Sequence, residues 1–447
     1  MKNTVKDIIG VFGHYGNKNL GDEAIIAAVI HNIQSYQPGS KIIGFSINPI
    51  DTEKRHNIQS FPIRRLKKQN QISENGMYQQ KGTFIHSELG EKLSIMQQLK
   101  QTLKDRLDRM PILKVLIKMP FGLFEGMVST GKEIQFLFNT YGILKNTDKL
   151  LVCGSNQFLD NFGGFSGFPY TLLKWTVLSR LAKTKVYFLS LGAGPLKSNI
   201  SMFMIKRCID LCEYISFRDH GSKMLVGQQA NPKAGVFPDL AFSEDYLDLV
   251  DRHQKSKKRL RIGINPMPVF DKRYWPVSDD RKYRLYVENF AELYVALKKN
   301  GFEPFFYNTQ NSDLLVIEDV IALISCQTRT SVVDREIVEV CRSDTLDELM
   351  NVIASADILV PTRFHGIILA YKADKPVVGI CYGPKSKELV ESVARKGSAF
   401  DVETFKAKQI LNETIRIAGN YDDETKKIRT TREKYEKLLD VQYGKIF

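Results

Sequence analysis

Residues 361–389, PTRFHGIILAYKADKPVVGICYGPKSKEL, hold three side chains that handle anions and protons. Arg363 and His365 follow the apolar run Ile358–Val360 and Pro361, and Lys385 follows a second apolar run, Pro376–Ile380. Arginine presents a planar fork to a carboxylate or phosphate, lysine a point charge, and histidine a proton that titrates near neutrality. In an alternating α/β chain, ligands bind at the carboxyl ends of parallel strands. Two neighbouring loops would then deliver Arg, His and Lys to one edge, a site suited to a small, multiply negative substrate. Taken alone, Arg-x-His also reads as an ion pair at a helix start.

The elements that must position these residues alternate. Strands are expected at Val5–Phe12, Lys41–Ile47, Lys149–Cys153, Lys185–Gly192 and Tyr214–Phe217, with helices at Ala24–Ser35, Phe168–Lys183 and Ile200–Cys212 among them. After a charged stretch at 243–261, strands are expected again at Arg259–Asn265, Glu303–Tyr307, Ser331–Arg335, Asp357–Val360 and Pro376–Ile380. Helices at Tyr286–Lys299, Asp313–Ser325 and Leu346–Ser355 lie between them. At 447 residues the chain exceeds what one hydrophobic core usually covers. The expectation is α/β: two Rossmann-like, doubly wound domains facing a cleft, a GT-B-like arrangement. The first domain is 1–242 with an insertion at about 50–145, the linker is 243–261, and the second domain is 262–420. A charged helix in 421–447 would brace one domain against the other.

The net charge of +14 is unevenly spread. Residues 54–118 hold 14 Lys/Arg against 5 Asp/Glu, which suits anionic ligands, a membrane surface or nucleic acid. Leu93, Met96, Leu99 and Leu103 recur at helical spacing with Lys100, Lys104, Arg106 and Arg109 outside them. Such a basic amphipathic segment either lies peripherally on an anionic membrane or packs on its own domain with its lysines in water. Nucleic acid is not expected, because no binding motif or repeating aromatic platform accompanies the charge. The six cysteines lack metal-ligand spacing and read as small hydrophobes of a reduced, cytoplasmic protein; no metal and no cofactor is expected. Asp7 interrupts the only short apolar run of the first residues, so they do not read as a signal peptide, and no apolar run reaches the ~18 residues of a membrane span.

The first strand feeds the loop GHYGNKNLGDEAI, residues 13–25. Its glycines are not spaced as a dinucleotide fingerprint, and no Gly-Lys-Ser/Thr marks a P-loop. Asn19 and Asp22 can hydrogen-bond a hydroxylated ligand or form an Asn/Asp turn and helix cap. Gly13, Tyr15, Gly16, Asn19, Gly21, Asp22, Glu23 and Ala24 together resemble the opening motif of the polysaccharide pyruvyl transferases. Three further segments carry the same resemblance. Arg218-Asp219-x-x-Ser222 is similar to the family's Arg-Asp-x-x-Ser, and Pro238–Asp239 follows it. Arg363-x-His365, Pro376-Val377-Val378 and Tyr382-x-x-Lys385 resemble the C-terminal signature, with Gly383 where Asp is frequent. The loop with Gly154, Gln157 and Asp160 has fewer glycines than the family's.

What the resemblance implies is transfer of pyruvate from phosphoenolpyruvate, as co-substrate, to two hydroxyls of a glycan acceptor as a ketal, with phosphate released. The acceptor would be a sugar of a surface polysaccharide or of its lipid-linked precursor. Arg363 and Lys385 would bind phosphate and carboxylate, and His365 would move the proton. His14 is the second acid/base candidate, across the cleft. Tyr15, Asn19, Asp22, Asp160, Arg218 and Tyr382 would contact substrate, although Arg218 has a second reading as the partner of Asp219 or Asp239. The alternatives are a GT-B glycosyltransferase using a nucleotide sugar, with Glu388 or Glu391 on the ribose, and a non-catalytic sugar-phosphate binder on the same fold.

Overall fold

The structure, a computed structural model, describes residues 7–65, 121–161, 163–227, 234–243, 259–275, 277–328, 338–394 and 396–447. For 121–130, 227, 327, 328 and 396 it describes the backbone alone. The amphipathic run from Leu93 to Arg109, most of the expected linker and the expected strand Ser331–Arg335 lie outside the described residues.

Seven parallel strands form the first sheet: β1 (Ile8–Phe12), β2 (Lys41–Ser46), β3 (Ser60–Pro62), β4 (Lys149–Cys153), β5 (Lys185–Leu191), β6 (Tyr214–Phe217) and β7 (Gly235–Val236). Their order is β3-β2-β1-β4-β5-β6-β7. Helices α1 (Leu20–Tyr36), α2 (Pro49–His56), α3 (Phe121–Leu144), α4 (Phe168–Ala182) and α5 (Asn199–Leu211) connect them. The second sheet begins with β8 (Arg261–Asn265), β9 (Glu303–Tyr307), β10 (Val340–Cys341) and β11 (Ile358–Pro361), ordered β10-β9-β8-β11. Single bonds from Leu359 N to Pro376 O and from Val378 N to Leu359 O, 2.9 Å each, continue it toward β12 (Gly379–Cys381), which pairs with β13 (Ala399–Asp401). Helices α6 (Asp280–Lys299), α7 (Asp313–Thr328), α8 (Leu346–Ser355), α9 (Phe364–Lys372), α10 (Pro384–Val393), α11 (Ala407–Gly419) and α12 (Tyr421–Tyr443) complete the chain.

Both sheets therefore follow the doubly wound order in which the strand sequence reverses beside the first strand. Ligand crevices open where that reversal occurs. In the first sheet this is between β1 and β4, and in the second between β8 and β11, the strand that ends in Pro361. The focal Arg363 and His365 thus sit at a topological switch point.

The strands read as near-continuous apolar runs because parallel sheets are covered on both faces. One hydrophobic cluster runs across both sheets' territory, joining Leu20, Ala24 and Ile25 of α1 to Leu349 and Met350 of α8 and to Ile367, Ile368 and Leu369 of α9. The three α9 side chains are fully buried, each worth about 1.5–3 kcal/mol relative to exposure. Both sheets consequently pack as one compact unit, and residues 65–143 form a second. Within that second unit Arg65 lies 3.9 Å from Glu133 of α3. Helix α12 touches both sheets' surroundings: Arg432 bonds Asp374 beyond α9, while Tyr36 of α1 donates to the Asp440 carbonyl. Among the described residues no helix is long and apolar enough to cross a membrane.

Candidate active site

The loop after β1 is shaped by its own polar groups. Asn19 caps α1 by accepting from Gly21 N, and its amide donates to Asp22 Oδ2 at 2.8 Å. Gly16 takes φ +79° and presses against the Asn48 carbonyl and Thr52, where no Cβ fits. Its N–H donates to buried Glu23 (2.9 Å), which also pairs with His56 at 2.7 Å. Tyr15 is buried with its hydroxyl turned back onto the Val11 carbonyl. It holds the loop from beneath and does not face the cleft.

Asp22 stands between two histidines. It is buried, and His14 Nδ1 lies 3.5 Å from its Oδ2. Burial alone would raise its pKa. The His14 hydrogen bond, the charge of His365 and the Ser155 hydroxyl outweigh that and hold it below the usual carboxylate range. Ser155, in the loop after β4, takes φ +58°, a costly backbone for a residue with a side chain and one found preferentially at functional sites. His14 also packs on Phe168, ring centroids 5.4 Å apart.

The second sheet's residues meet this loop directly. Leu20 N donates to the Thr309 carbonyl at 3.2 Å. Gly21 lies so close to His365 that any Cβ there would collide with the imidazole and its Cβ. His365 occupies the first turn of α9, where the helix dipole favours anions. Its Nε2 is buried without a hydrogen-bond partner, and the nearest acid, Asp239 Oδ2, is 4.0 Å away.

Arg218, at the end of β6, donates to Asp239 at 3.2 Å, lies 3.8 Å from Asp219 and stacks on Phe364 with 4.5 Å from its Cζ to the ring centroid. Both pairings considered from the sequence therefore occur, and its Nε is still buried without a hydrogen-bond partner. Lys385, in the first turn of α10, reaches across to the loops of the first sheet: its ammonium donates to Asn156 Oδ1 (2.8 Å) and the Ala193 carbonyl (2.7 Å), with Asp219 at 3.8 Å. Burial, with Arg218 nearby, lowers its pKa to about 8 against the pull of Asp219.

Arg363 caps the approach differently. Its guanidinium bonds fully buried Asp313 (Nε–Oδ1 2.7 Å) and Ser312 (2.9 Å). Burial opposes its charge, but Asp313 and Tyr274 more than offset this and raise its pKa further. Asp313 in turn accepts from Thr309 N, Gln310 N and the Asn265 amide. Asp160 lies under the neighbouring loop. Its carboxylate accepts from Lys197 N and Ser198 N, the latter at 2.8 Å, and these bonds overcome burial to lower its pKa. Tyr382 is 41% exposed, yet burial of its hydroxyl raises its pKa, with Arg218 and Arg363 pulling the other way and Tyr274 and Asp22 adding to the rise.

His365, Arg218, Lys385, Asp22 and Tyr382 are thus gathered around the interface of the two sheets, with His14 and Asn19 on the first-domain side. Arg363 is held by Asp313, and Asp160 and Tyr15 shape loops. Asp313 and Asn156 are hydrogen-bond partners of Arg363 and Lys385 that the sequence did not point to. Their only signal is a polar run at a strand end, NTQNSD after β9 and GSN after β4.

A family model described as polysaccharide pyruvyl transferase matches residues 19–384. The chain belongs to that family. The match covers Asn19, Asp22, Asp160, Arg218, Arg363, His365 and Tyr382; His14 and Tyr15 precede it and Lys385 lies one residue beyond. None of the curated proteins matches the chain. Among solved structures, the UDP-GlcNAc 2-epimerase of Neisseria meningitidis bound to UDP-GlcNAc is similar with TM-score 0.51 and 13% identity, covering 95% of this chain and 94% of that one. The UDP-GlcNAc 2-epimerase of Methanocaldococcus jannaschii aligns with TM-score 0.51 and 10% identity over 92% of each chain. A glycosyltransferase from Rickettsia africae ESF-5 aligns with TM-score 0.51 and 10% identity over 97% and 93%. At such identities the likeness is one of fold, and the fold is GT-B: two Rossmann-like halves around a cleft.

Proposed function

We propose that this family member transfers pyruvate from phosphoenolpyruvate to two hydroxyls of a glycan as a ketal. The observation that supports this most is the pair of buried nitrogens that lack a hydrogen bond, His365 Nε2 and Arg218 Nε, beside the Lys385 ammonium at two facing sheet edges. Buried polar atoms are ordinarily satisfied, so such a group calls for a hydrogen-bonding ligand. A phosphate and a carboxylate on one small molecule suit them.

Protonation of the enol methylene gives a methyl group and an electrophilic C2. One acceptor hydroxyl adds there and loses its proton, then the second displaces phosphate. One proton ends on carbon and the other leaves with phosphate, so the reaction balances without an oxidant or reductant. His365 gives the proton to the methylene, and Asp22 and Asp239 flank its ring. Arg218 and Lys385 stabilise the departing phosphate, and Arg363, bonded to Asp313, holds the β11–α9 turn in place. No cofactor enters this scheme. The acceptor belongs to a surface polysaccharide or its lipid-linked precursor, and the reading places the protein in the cytoplasm. The basic stretch within 50–145 would meet the membrane face; co-sedimentation with anionic vesicles should fall when residues 91–124 are deleted, and equal binding would remove that contact.

The deciding experiment incubates the protein with phosphoenolpyruvate and a glycan panel, following phosphate release and ketal formation. His365→Ala should lower turnover about 10²–10⁴-fold. Undiminished turnover would refute the role of His365, and consumption of nucleotide sugars alone would replace the reaction with glycosyl transfer.

A further inference from the structure

The loop leaving β8 carries chemistry that the phosphoenolpyruvate scheme does not use. Tyr274 is 39% exposed and Tyr382, after β12, is 41% exposed, although both stand beside a buried, charged site. Trp275 lies between exposed and buried, its ring edge-on to Tyr382 at 6.2 Å. Tyr274 in turn sits under the Arg363 guanidinium, 5.6 Å from its Cζ.

These rings are held in place. Asp271 is buried and accepts from Arg273 Nε (2.9 Å) and from Trp275 through its carbonyl (2.6 Å). Arg273 also bonds the Tyr283 hydroxyl (2.8 Å) and Asp319 of α7. Phe270 takes φ +64°, and its carbonyl accepts from Asp279 N, which closes the loop at its far end. A rigid aromatic wall with half-exposed faces and hydroxyl tips gives a ligand large contact area at small ordering cost.

We infer that Tyr274, Trp275 and Tyr382 form the platform on which a pyranose ring of the acceptor lies. The C–H face of a pyranose is apolar and its rim is polar, which matches rings that carry a hydroxyl at one edge. The place also fits. Tyr382 lies within electrostatic reach of Arg218, Arg363 and Asp22, so a sugar stacked there has its hydroxyls beside the groups assigned to the donor. This deepens the pyruvyl transfer reading and rests on it for the identity of the second substrate. The aromatic wall itself asks only for a ring with an apolar face.

Two measurements separate the inference from the reaction. The protein has two tryptophans, and the other, Trp175, is buried against Phe12 and Phe45. Titration of the full chain with methyl hexopyranosides should produce a saturable change in tryptophan emission that linear glucitol does not. The change should disappear in Trp275→Phe and weaken about tenfold or more in Tyr382→Ala, while Tyr382→Phe keeps it. In turnover assays Tyr274→Ala and Tyr382→Ala should raise KM for the glycan about tenfold and leave KM for phosphoenolpyruvate unchanged. Emission unresponsive to every pyranoside, or a rise confined to KM for phosphoenolpyruvate, overturns the platform. A pyranoside response that depends on Tyr382, in a protein that never consumes phosphoenolpyruvate, upholds the platform and overturns the reaction. Both tyrosines are half-exposed, so unaltered far-ultraviolet circular dichroism is expected of these variants.

Discussion

Lys385 holds its charge against its surroundings. Burial and Arg218 both disfavour the ammonium and bring its pKa to about 8, while Asp219 opposes them. The folded value therefore lies below the ordinary lysine value of 10.5. Between those two pH values the unfolded chain binds the proton more tightly, so this residue's contribution to stability rises with pH across the window. Activity should run the other way. As pH climbs through about 8 the free protein loses the cation, and kcat/KM for phosphoenolpyruvate should fall on an alkaline limb there. In Lys385→Arg the charge persists to higher pH and the limb should move up; a limb that stays put would assign it to another group. In the sequence, Gly383 stands two residues before Lys385 where the family pattern frequently has Asp. The bonds of Lys385 to Asn156 and Ala193 could not be read from the chain, since they span 229 and 192 residues. Tyr15 shows the reverse failure. A tyrosine in a glycine loop looks available to ligand, and only packing reveals that its ring fills the space beneath the loop.

At the scale of elements, α1 does more than support a loop. Its expected start was Ala24, yet the helix begins at Leu20 because Asn19 is the cap and Asp22 and Glu23 occupy the first turn, where carboxylates complement the dipole. That early start places Gly21 against His365. Alanine at this position would ordinarily favour the helix by about 0.8–1 kcal/mol, but here its methyl group meets the imidazole. Gly21→Ala is expected to fold with its helix content intact and to lose about 10²-fold in kcat, the scale set by an ångström of displacement of a catalytic group. Wild-type kcat in a folded Gly21→Ala protein would show that this contact does not shape the site. Elsewhere periodicity sufficed: Tyr214–Phe217, Glu303–Tyr307 and Leu346–Ser355 have the boundaries that their apolar patterns suggest. The run Pro376–Ile380 does not, because proline cannot donate to a ladder. The strand proper is Gly379–Cys381, joined to β11 only around Val377.

At the scale of the whole molecule, one helical i,i+4 pair is joined to charges far away in the chain. The Lys372 ammonium, at the end of α9, is fully buried; it donates to the Phe242 and Ser243 carbonyls that follow the first sheet and to Glu436 of α12. Glu436 also accepts from Arg432 at 2.6 Å, and Arg432 bonds Asp374 at 2.8 Å. One chain of alternating charges thus ties the segment after the first sheet, the end of α9 and α12 together. Composition and periodicity foretold the two doubly wound sheets and a charged final helix, but not which acid would meet which base across 64 residues. Glu436→Leu would take its carboxylate away from the buried Lys372 ammonium, and removing one member of a buried pair costs about 3–5 kcal/mol. Adding Lys372→Met removes that ammonium, so the double variant should recover much of that loss. The measurement is urea unfolding of wild type, both single variants and the double. If Glu436→Leu shifts the transition by less than about 1 kcal/mol, the scale of an exposed pair, the network is not what binds the two sheets into one unit. If the double variant is no better than Glu436→Leu, the loss comes from packing and not from the broken Lys372–Glu436 pair.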